Sequence, residues 1–351
     1  MEPHLQNRPL EVMADAFVAA KSLILQIVNA VPRSRLQMFT TPEMTEKGTI
    51  LLPAFYDKEQ SYPVEIGDFF WTSLGSDICS LRPLENGRYC QIIGCHTKEL
   101  NRTVLWSCSA VGTFAYTNTT NDKQSTFHFW NALFGNGHSL FHVHPQKSVL
   151  KKAVSTVYST PGGLGERKIH VEIVDSFYAD LSEPRNALIT NPEDAVMLKI
   201  DGEKLWIPKI GLSHHSPFFN TLFNGDFREK AENSYDLKDI NLEDFLRFLG
   251  IVYCLKMPID ENSVEGLLKL GDFFQCKLVL DRCEEYLKNA PVKRLTHLKK
   301  LKLVERFKLQ STLTDTINKM TLQEAKTVFV DLEKFEFCRH LMFLKLCLMD
   351  P

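Results

Sequence analysis

The sequence lacks an excess of charge of either sign. Its 351 residues include 41 lysines and arginines against 43 aspartates and glutamates, which leaves a formal net charge of −2 at pH 7. A nearly neutral chain has no overall electrostatic attraction for nucleic acid or for an anionic membrane surface. We therefore expect neither nucleic acid nor a membrane among its partners. With 44% hydrophobic and 24% charged residues, the composition is that of a globular chain of about two domains.

Long uninterrupted apolar runs are also missing. The apolar-rich stretch 10–31 is broken by Glu11, Asp15 and Lys21, whereas a membrane-spanning helix needs about 20 consecutive apolar residues. The two acidic residues argue against a mitochondrial presequence, and a signal peptide would need a basic start and a clean apolar centre. We predict that residues 1–45 form a helical extension that packs on the rest of the chain.

Common catalytic and metal-binding motifs are missing as well. None of the nine cysteines belongs to a CxxC pair, which excludes zinc-ribbon and thioredoxin-like motifs, and no GxSxG, HExxH or protein-kinase series occurs. Most of the cysteines lie in apolar runs, where a free thiol behaves as a small hydrophobic side chain. We expect a protein of a reducing compartment, the cytoplasm, the nucleus or both. We expect no enzyme activity, no catalytic residues and no cofactor.

A group of histidines leaves one metal-binding alternative open. His138, His142 and His144 lie close together in the sequence, and the last two would share one face of a strand. A closed structural zinc site needs four ligands, and no fourth is evident. A surface strand with polar histidines explains the group equally well, so we predict no metal site.

Between residues 46 and 180 the apolar residues recur mostly with a period of two. The segment 168–173 (KIHVEI) alternates strictly, and in the segment 103–110 (TVLWSCSA) every second residue is apolar on one face. Such alternation is typical of strands with one buried face. Clusters of Gly, Asn and Asp separate the runs about every ten residues, which predicts an antiparallel β-sandwich for residues 46–180.

After residue 190 the pattern changes to helices. One strand-rich opening comes first, in which Val196, Leu198 and Ile200 alternate with other residues before the turn-forming pair Asp201-Gly202. Apolar residues then recur at helical spacing, and the segments 262–265 (NSVE) and 321–324 (TLQE) resemble capping boxes at the starts of two helices. Pro291 divides this part into a domain over residues 190–290 and a carboxy-terminal helical extension over residues 291–351.

Residues 193–289 resemble a BTB (POZ) domain. The segment 193–209 (EDAVMLKIDGEKLWIPK) is similar to the opening strand, turn and strand of that family, and 212–223 (LSHHSPFFNTLF) matches its helix pattern almost position for position. The segment 271–287 extends the match. Trp206 departs from the pattern, since many members carry a polar or smaller residue there. The resemblance implies an α/β BTB fold.

Residues 62–178 resemble a MATH (TRAF-homology) domain, through the segments 69–71 (FFW) and 104–110 (VLWSCSA). Members of that family usually place an aromatic residue, a glycine and an apolar residue in a peptide-binding groove. In this sequence Asn136, Gly137 and His138 stand at those positions. The resemblance therefore implies that these three residues contact a substrate protein, with polar side chains on both sides of the glycine. We do not expect the usual preference for Ser/Thr-rich peptides to carry over.

The BTB resemblance also implies a two-fold symmetric homodimer, formed through the segment after the first hairpin. We assign Asp194, Ile210, Leu212 and Phe218 to the dimer interface. The segment 210–223 has more hydrophobic residues than the core of one domain needs. A monomer in which all of them are internal is the alternative, although symmetric homodimers are the commonest oligomers.

The tripeptide Phe227-Arg228-Glu229 matches the apolar-x-Glu signature that cullin-binding BTB domains carry at this place. An exposed aromatic ring can fill a partner's pocket while a neighbouring charge fixes the register. We assign Phe227, Glu229 and Tyr253 to a cullin contact. The alternative is a ring folded back onto Phe223 beside a solvated glutamate.

Together these features predict a substrate-recruiting adaptor of a cullin-based ubiquitin ligase. The sandwich would bind the substrate, and the BTB domain with the helices after it would dimerise and bind cullin, as the resemblance to BTB ligase adaptors implies. The alternative is a dimeric BTB scaffold, for example in transcriptional regulation, that acts without ubiquitin transfer.

Overall fold

The computed structural model describes residues 46–52, 61–74, 91–99, 101–118, 125–143, 164–225, 233–331 and 336–349. The predicted helical extension over residues 1–45 lies outside this part of the chain. Within it the predicted fold class is confirmed. An antiparallel β-sandwich comes first, a mixed α/β domain follows, and a group of helices ends the chain.

The sandwich is built from two sheets of antiparallel strands. One sheet has the order β1-β8-β5-β6 and the other has the order β2-β3-β4-β7. The strands are β1 (Lys47–Leu51), β2 (Val64–Ile66), β3 (Phe69–Leu74), β4 (Gln91–Thr97), β5 (Val104–Asn118), β6 (Ser125–Gly135), β7 (Leu140–Val143) and β8 (Leu164–Asp180).

The inner faces of both sheets form the sandwich core. Trp106, Cys108 and Ala110 on β5 are at most 7% exposed, as their alternation predicts. Leu105 and Ser107, which belong to the opposite face of the same strand, are buried as well. The start of β5 is therefore covered on both sides, because the following domain packs against its outer face.

The second domain contains a small mixed sheet with helices packed around it. Its strands β9 (Ala195–Ile200) and β10 (Glu203–Pro208) form an antiparallel hairpin, and β11 (Ser234–Leu237) pairs with β9 in parallel. The turn residues Asp201 and Gly202 both have positive φ, 52° and 82°, as a type I′ hairpin turn requires. The helices are α1 (Lys209–His215), α2 (Pro217–Asn224), α3 (Leu242–Val252), α4 (Val264–Phe273) and α5 (Lys277–Asn289).

Phenylalanines from α2, α3 and the end of α4 form the centre of this domain. Phe219, Phe245, Phe248 and Phe274 are all fully buried, with ring centroids as close as 4.5 Å. Four buried aromatic side chains in mutual contact explain how a small domain obtains a sufficient apolar core.

The carboxy-terminal helices continue the same core. They are α6 (His297–Arg306), α7 (Gln310–Lys319), α8 (Leu322–Val330) and α9 (Glu336–Met349). Thr321 and Glu324 form the predicted capping box at the start of α8. The capping box predicted around Asn262 is wrong, since Ser263 precedes α4 and its hydroxyl and amide bond to Asp260 instead. Among the described residues, each helix is too short or too polar to cross a membrane.

Candidate protein-interaction site

The sandwich meets the second domain at the tight turn between β6 and β7. This turn, residues 135–138, is closed by a pair of backbone hydrogen bonds between Gly135 and His138, and Gly137 within it has φ of +67°. The turn lies against α3 and against the segment 257–260 of the second domain. All three residues predicted to bind substrate are therefore at an internal junction of the chain.

The side chain of Asn136 is used within the sandwich. Its Oδ1 accepts a hydrogen bond from the backbone N–H of Trp106 at 2.9 Å, and its Nδ2 donates to the carbonyl oxygen of Val104 at 2.7 Å. The residue is 8% exposed. These bonds fasten the turn to β5, so the Asn136 amide fixes the shape of the sandwich instead of facing a groove.

The backbone of the turn is bound by Arg247 on α3. The Nε of Arg247 donates to the carbonyl oxygen of Asn136 at 2.9 Å. The other guanidinium nitrogens contact Glu243 at 2.7 Å and Asp244 at 3.4 Å. With its side chain 7% exposed, Arg247 is a buried cation whose charge is compensated on its own helix. Burial raises the pKa of Asp244, and Arg247 works against that rise.

At position 137 only a glycine fits against the guanidinium of Arg247. A Cβ at that position would lie 1.6 Å from a guanidinium nitrogen of Arg247 and 2.0 Å from a carboxylate oxygen of Glu243. Its positive φ also favours glycine. Sequence resemblance assigned this glycine to a peptide groove, whereas the structure shows that it allows the backbone of the turn to approach α3.

His138 completes the contact. Its Nδ1 lies 2.9 Å from Oδ2 of Asp260, whose other oxygen accepts bonds from the backbone N–H groups of Asn262 and Ser263 and from the Ser263 hydroxyl. Burial raises the pKa of the Asp260 carboxyl, but the bonds from His138 and Ser263 outweigh it and hold the pKa well below its usual range. The carboxylate stays charged at the junction.

Further polar contacts join the two domains. Arg102 pairs with Asp201 at 2.6 Å, and Lys256 pairs with Asp175 at 2.9 Å. The backbone N–H of Trp206, the residue that departs from the BTB pattern, donates to the carbonyl oxygen of Leu181 at 2.7 Å. The chain that leaves β8 is thereby bonded to β10.

Apolar packing accompanies these polar contacts. Leu105 and Ala179, from β5 and β8, and Leu181, just after β8, are at most 2% exposed and belong to the same apolar cluster as the core of the second domain. These three residues thus extend the core of the second domain, whereas the inner faces of the sandwich form a separate apolar cluster. At the turn, the side chains of Asn136 and His138 and the backbone of Asn136 are engaged by the chain itself.

Arg247 is the residue at this junction that sequence reasoning missed. It lies in the helix LEDFLRFLGIV, where the residues on either side of it are apolar and buried. A lone arginine within an apolar helical run is a recognisable signal, because buried charges occur when they are paired. The sequence does not reveal its acceptor in the sandwich, the backbone carbonyl of Asn136, which lies 111 residues earlier in the chain.

The residues assigned to the dimer interface differ in exposure. Ile210 on α1 is 72% exposed, whereas Leu212 is fully buried in the core of its own domain. The ring of Phe218 is half-buried against Phe273 and Phe274. Both carboxylate oxygens of Asp194 accept from the backbone N–H of Ile210. Of these four residues, Ile210 has the most exposed apolar side chain, and the test of the proposed dimer rests on it.

The assigned cullin contact is described only in part. Phe227 and Glu229 lie outside the described residues. The Tyr253 hydroxyl donates to the carbonyl oxygen of Pro208 at 2.7 Å, and its ring lies against Gly211 on α1. Burial and the charge of Asp194 raise the pKa of Tyr253 well above its usual range. Tyr253 therefore ties the end of α3 to the start of α1.

The histidine group is described only in part as well. His144 and the side chain of His142 lie outside the described residues. In the remainder of the chain that the structure describes, no three His, Cys, Asp or Glu residues are arranged to hold a metal ion.

The outer face of the sandwich presents apolar side chains on β6. Phe129 and Leu133 are 71% and 40% exposed, and β6 is at the edge of its sheet. Phe129 pairs with Thr113 and Leu133 pairs with Ser109, both on the neighbouring strand β5. This face, defined by Phe129 and Leu133 and called the β6 face below, is an apolar surface of the sandwich that lies outside the junction.

Comparison with known proteins supports both resemblances. Residues 193–290 match the family model of the BTB/POZ domain. The chain is similar to BTB and MATH domain-containing protein 36 of Caenorhabditis elegans, with 26% identity over 80% of this chain and 88% of that protein. BTB and MATH domain-containing protein 38 of the same organism is 36% identical over 29% of this chain. That match spans only 26% of the relative's own length.

The match to Kelch-like protein 26 of Homo sapiens is shorter, with 28% identity over 27% of this chain and 15% of that protein. The similarities confirm the predicted combination of a MATH-like sandwich with a BTB domain.

Proposed function

Because residues 193–290 form a BTB/POZ domain in a chain that is similar over most of its length to a BTB and MATH domain-containing protein, we propose that it recruits substrates to a cullin-based ubiquitin ligase. Its similarity to BTB and MATH domain-containing proteins supports a role as a protein-binding adaptor or scaffold. In the proposed mechanism the sandwich binds a substrate protein, and the BTB domain with helices α6–α9 binds cullin. The chain itself catalyses no step, and it acts in the cytoplasm, the nucleus or both.

The observation that carries this proposal is the packing of apolar residues of the sandwich into the core of the BTB domain. Leu105 of the sandwich packs in the same apolar cluster as Leu198 and Phe248 of the BTB domain. A chain built in this way holds two binding surfaces at a fixed separation. Holding a substrate beside a charged ubiquitin carrier raises its effective concentration there, which is sufficient for an adaptor to accelerate transfer.

Within the sandwich, the β6 face is the surface on which we propose that substrate binds. The turn 135–138 is occupied by α3, whereas Phe129 and Leu133 are exposed. Exposed aromatic and aliphatic side chains provide the apolar anchors on which protein interfaces depend. Phe129→Asp is expected to abolish substrate capture without affecting cullin binding, with Val174→Asp, another exposed residue of the sandwich, as the matched control.

The cullin contact is tested by biolayer interferometry with a cullin amino-terminal domain. Removing an interface hot spot costs about 2 kcal/mol, or about thirtyfold in affinity, so Phe227→Ala and Glu229→Lys should each weaken binding by about that factor. Glu285→Lys is the matched control, since Glu285 is an exposed acidic residue on α5 that pairs with Arg282. It should bind like the wild-type chain.

Absence of binding by the folded wild-type chain would contradict the ligase proposal. Light scattering and circular dichroism of each variant show whether it has kept its fold and assembly. If the folded wild-type chain does not bind cullin, the alternative function would stand, a dimeric BTB scaffold without ubiquitin transfer. The exposed Ile210 favours a dimer under either proposal, because an aliphatic side chain that is 72% exposed gains free energy when a second copy covers it.

A further inference from the structure

The junction between the sandwich and the BTB domain has the properties of a permanent contact. Its polar groups are paired, from the Asn136 amide to the Asp260 carboxylate. Its apolar part is continuous with the BTB core through Leu105 and Leu181. Surfaces that separate easily are exposed and polar, whereas separation of these two domains would expose buried leucines to water.

Arg247 holds the centre of this contact. Its Nε reaches across to the carbonyl oxygen of Asn136, while Glu243 and Asp244 hold its other two nitrogens in place. A guanidinium held at three points has a fixed orientation. The turn it binds is fixed in the same way, since Asn136 is bonded to two backbone groups of β5. The contacts from α3 through Arg247 and Asn136 to β5 are therefore all made by groups with a fixed orientation.

We propose that Arg247 and Asp260 are positioning residues, which hold the turn 135–138 and so fix the sandwich in one orientation on the BTB domain. The consequence for ubiquitin transfer rests on the proposed function. A substrate on the β6 face is then presented to the transfer machinery from one direction, and the lysines that receive ubiquitin are selected by their position. The turn acts as an internal docking element.

Lysines of the sandwich itself can report this orientation. Lys47 and Lys168 lie on the β1-β8 side of one sheet, and Lys98 follows β4 of the other sheet. If the sandwich is fixed, ubiquitin delivered from the BTB side reaches one of these positions more readily than the others. If the sandwich is free to rotate, all three are reached in turn.

The first experiment measures amide hydrogen exchange by mass spectrometry in the full-length chain. Arg247→Ala should speed exchange by about tenfold both in residues 131–141, which contain the turn, and in α3. Arg247→Lys, which keeps the charge and a single donor, should fall between. Arg282→Ala is the matched control, because that exposed arginine on α5 pairs with Glu285 and should change neither region.

A second variant keeps this test decisive if Arg247→Ala loosens the whole BTB domain. His138→Ala removes the bond to Asp260 from the sandwich side and leaves every BTB residue in place. Faster exchange at both sides of the junction in this variant supports the proposal. Unchanged exchange in His138→Ala and Arg247→Ala would overturn it, because the orientation would then depend on neither contact.

The second experiment maps ubiquitin on the chain itself, in a reaction with cullin, its RING subunit and a charged ubiquitin-conjugating enzyme. Among Lys47, Lys98 and Lys168, the wild-type chain should be modified mainly at one, and Arg247→Ala should spread the modification over all three at a similar total rate. The same distribution in both would overturn the selection of lysines by position. If no variant binds cullin, the proposed function and its lysine selection both fail, while hydrogen exchange still decides whether Arg247 and Asp260 fix the sandwich.

Discussion

The Nε of Arg247 donates a hydrogen bond to the backbone carbonyl of Asn136, 111 residues earlier in the chain. One residue is on a BTB helix and the other is in the turn where a MATH-like sandwich was expected to hold substrate. The bond joins the two domains. It also gives a buried arginine a neutral acceptor in addition to its two acidic neighbours.

Removing the Arg247 side chain should lower the stability of the folded chain. Arg247→Ala leaves the Asn136 carbonyl without its donor and opens a gap beside Gly137, and a buried polar group left without a partner costs about 2 kcal/mol. Urea unfolding followed by circular dichroism measures the change. The exposed pair of Arg282 and Glu285 should contribute less than about 0.5 kcal/mol, so an equal loss in Arg282→Ala would contradict the assignment.

Substituting two glycines with positive φ distinguishes the energetic cost of backbone strain from that of steric overlap. Gly137→Ala should destabilise the chain by about 3 kcal/mol, because the new Cβ would overlap the guanidinium of Arg247 and the backbone is left-handed. Gly202→Ala has similar backbone geometry, but nothing lies within 4 Å of its Cβ. It should cost only about 1 kcal/mol. Thermal unfolding of both variants gives the comparison, and equal losses would show that the turn is not in close contact with α3.

The charge of Asp260 should make stability depend on pH in a defined direction. Its pKa is depressed in the folded state, so it binds its proton less readily there than in the unfolded chain. The stabilisation is present above the unfolded pKa of about 3.9 and is lost as the pH falls through the folded value. Asp260→Asn should therefore cost about 2 kcal/mol at pH 6.

The difference between the wild-type chain and Asp260→Asn should shrink as the pH falls below about 4. Urea titrations at a series of pH values measure it. Asp175→Asn, which removes only the exposed pair with Lys256, should differ from the wild-type chain by less than about 0.5 kcal/mol at neutral pH. If the difference in free energy of unfolding between the wild-type chain and Asp260→Asn increased as the pH fell, the prediction would be contradicted.

Ile210 provides a test of the dimer. Ile210→Asp places a charge where an apolar contact with a second copy is proposed, and should convert a dimer to a monomer in size-exclusion chromatography with light scattering. Val330→Asp is the matched control, since Val330 on α8 is 69% exposed and lies outside the proposed interface. A dimer that persists in Ile210→Asp would place the interface elsewhere.

The order of elements could be predicted because each depends on local pattern. The alternation over Trp106 and Cys108 identified a strand with a buried face, and Asp201-Gly202 identified the hairpin turn. Burial of Leu105 could not be predicted, since it comes from packing of a distant domain on the opposite face. The partners of Asn136 and Arg247 were hidden for the same reason, because a hydrogen bond between residues far apart in sequence leaves no periodic trace.

The packing of sandwich residues into the BTB core has a consequence for how this chain can change its partners. Where domains are joined only by a linker, one recognition module can be replaced by another without loss of the rest. Here an exchanged sandwich would have to supply its own counterparts of Leu105, Ala179 and Leu181, or leave part of the BTB core open to water. New specificity is therefore more accessible through substitutions on the exposed sheet surface than through exchange of the whole module.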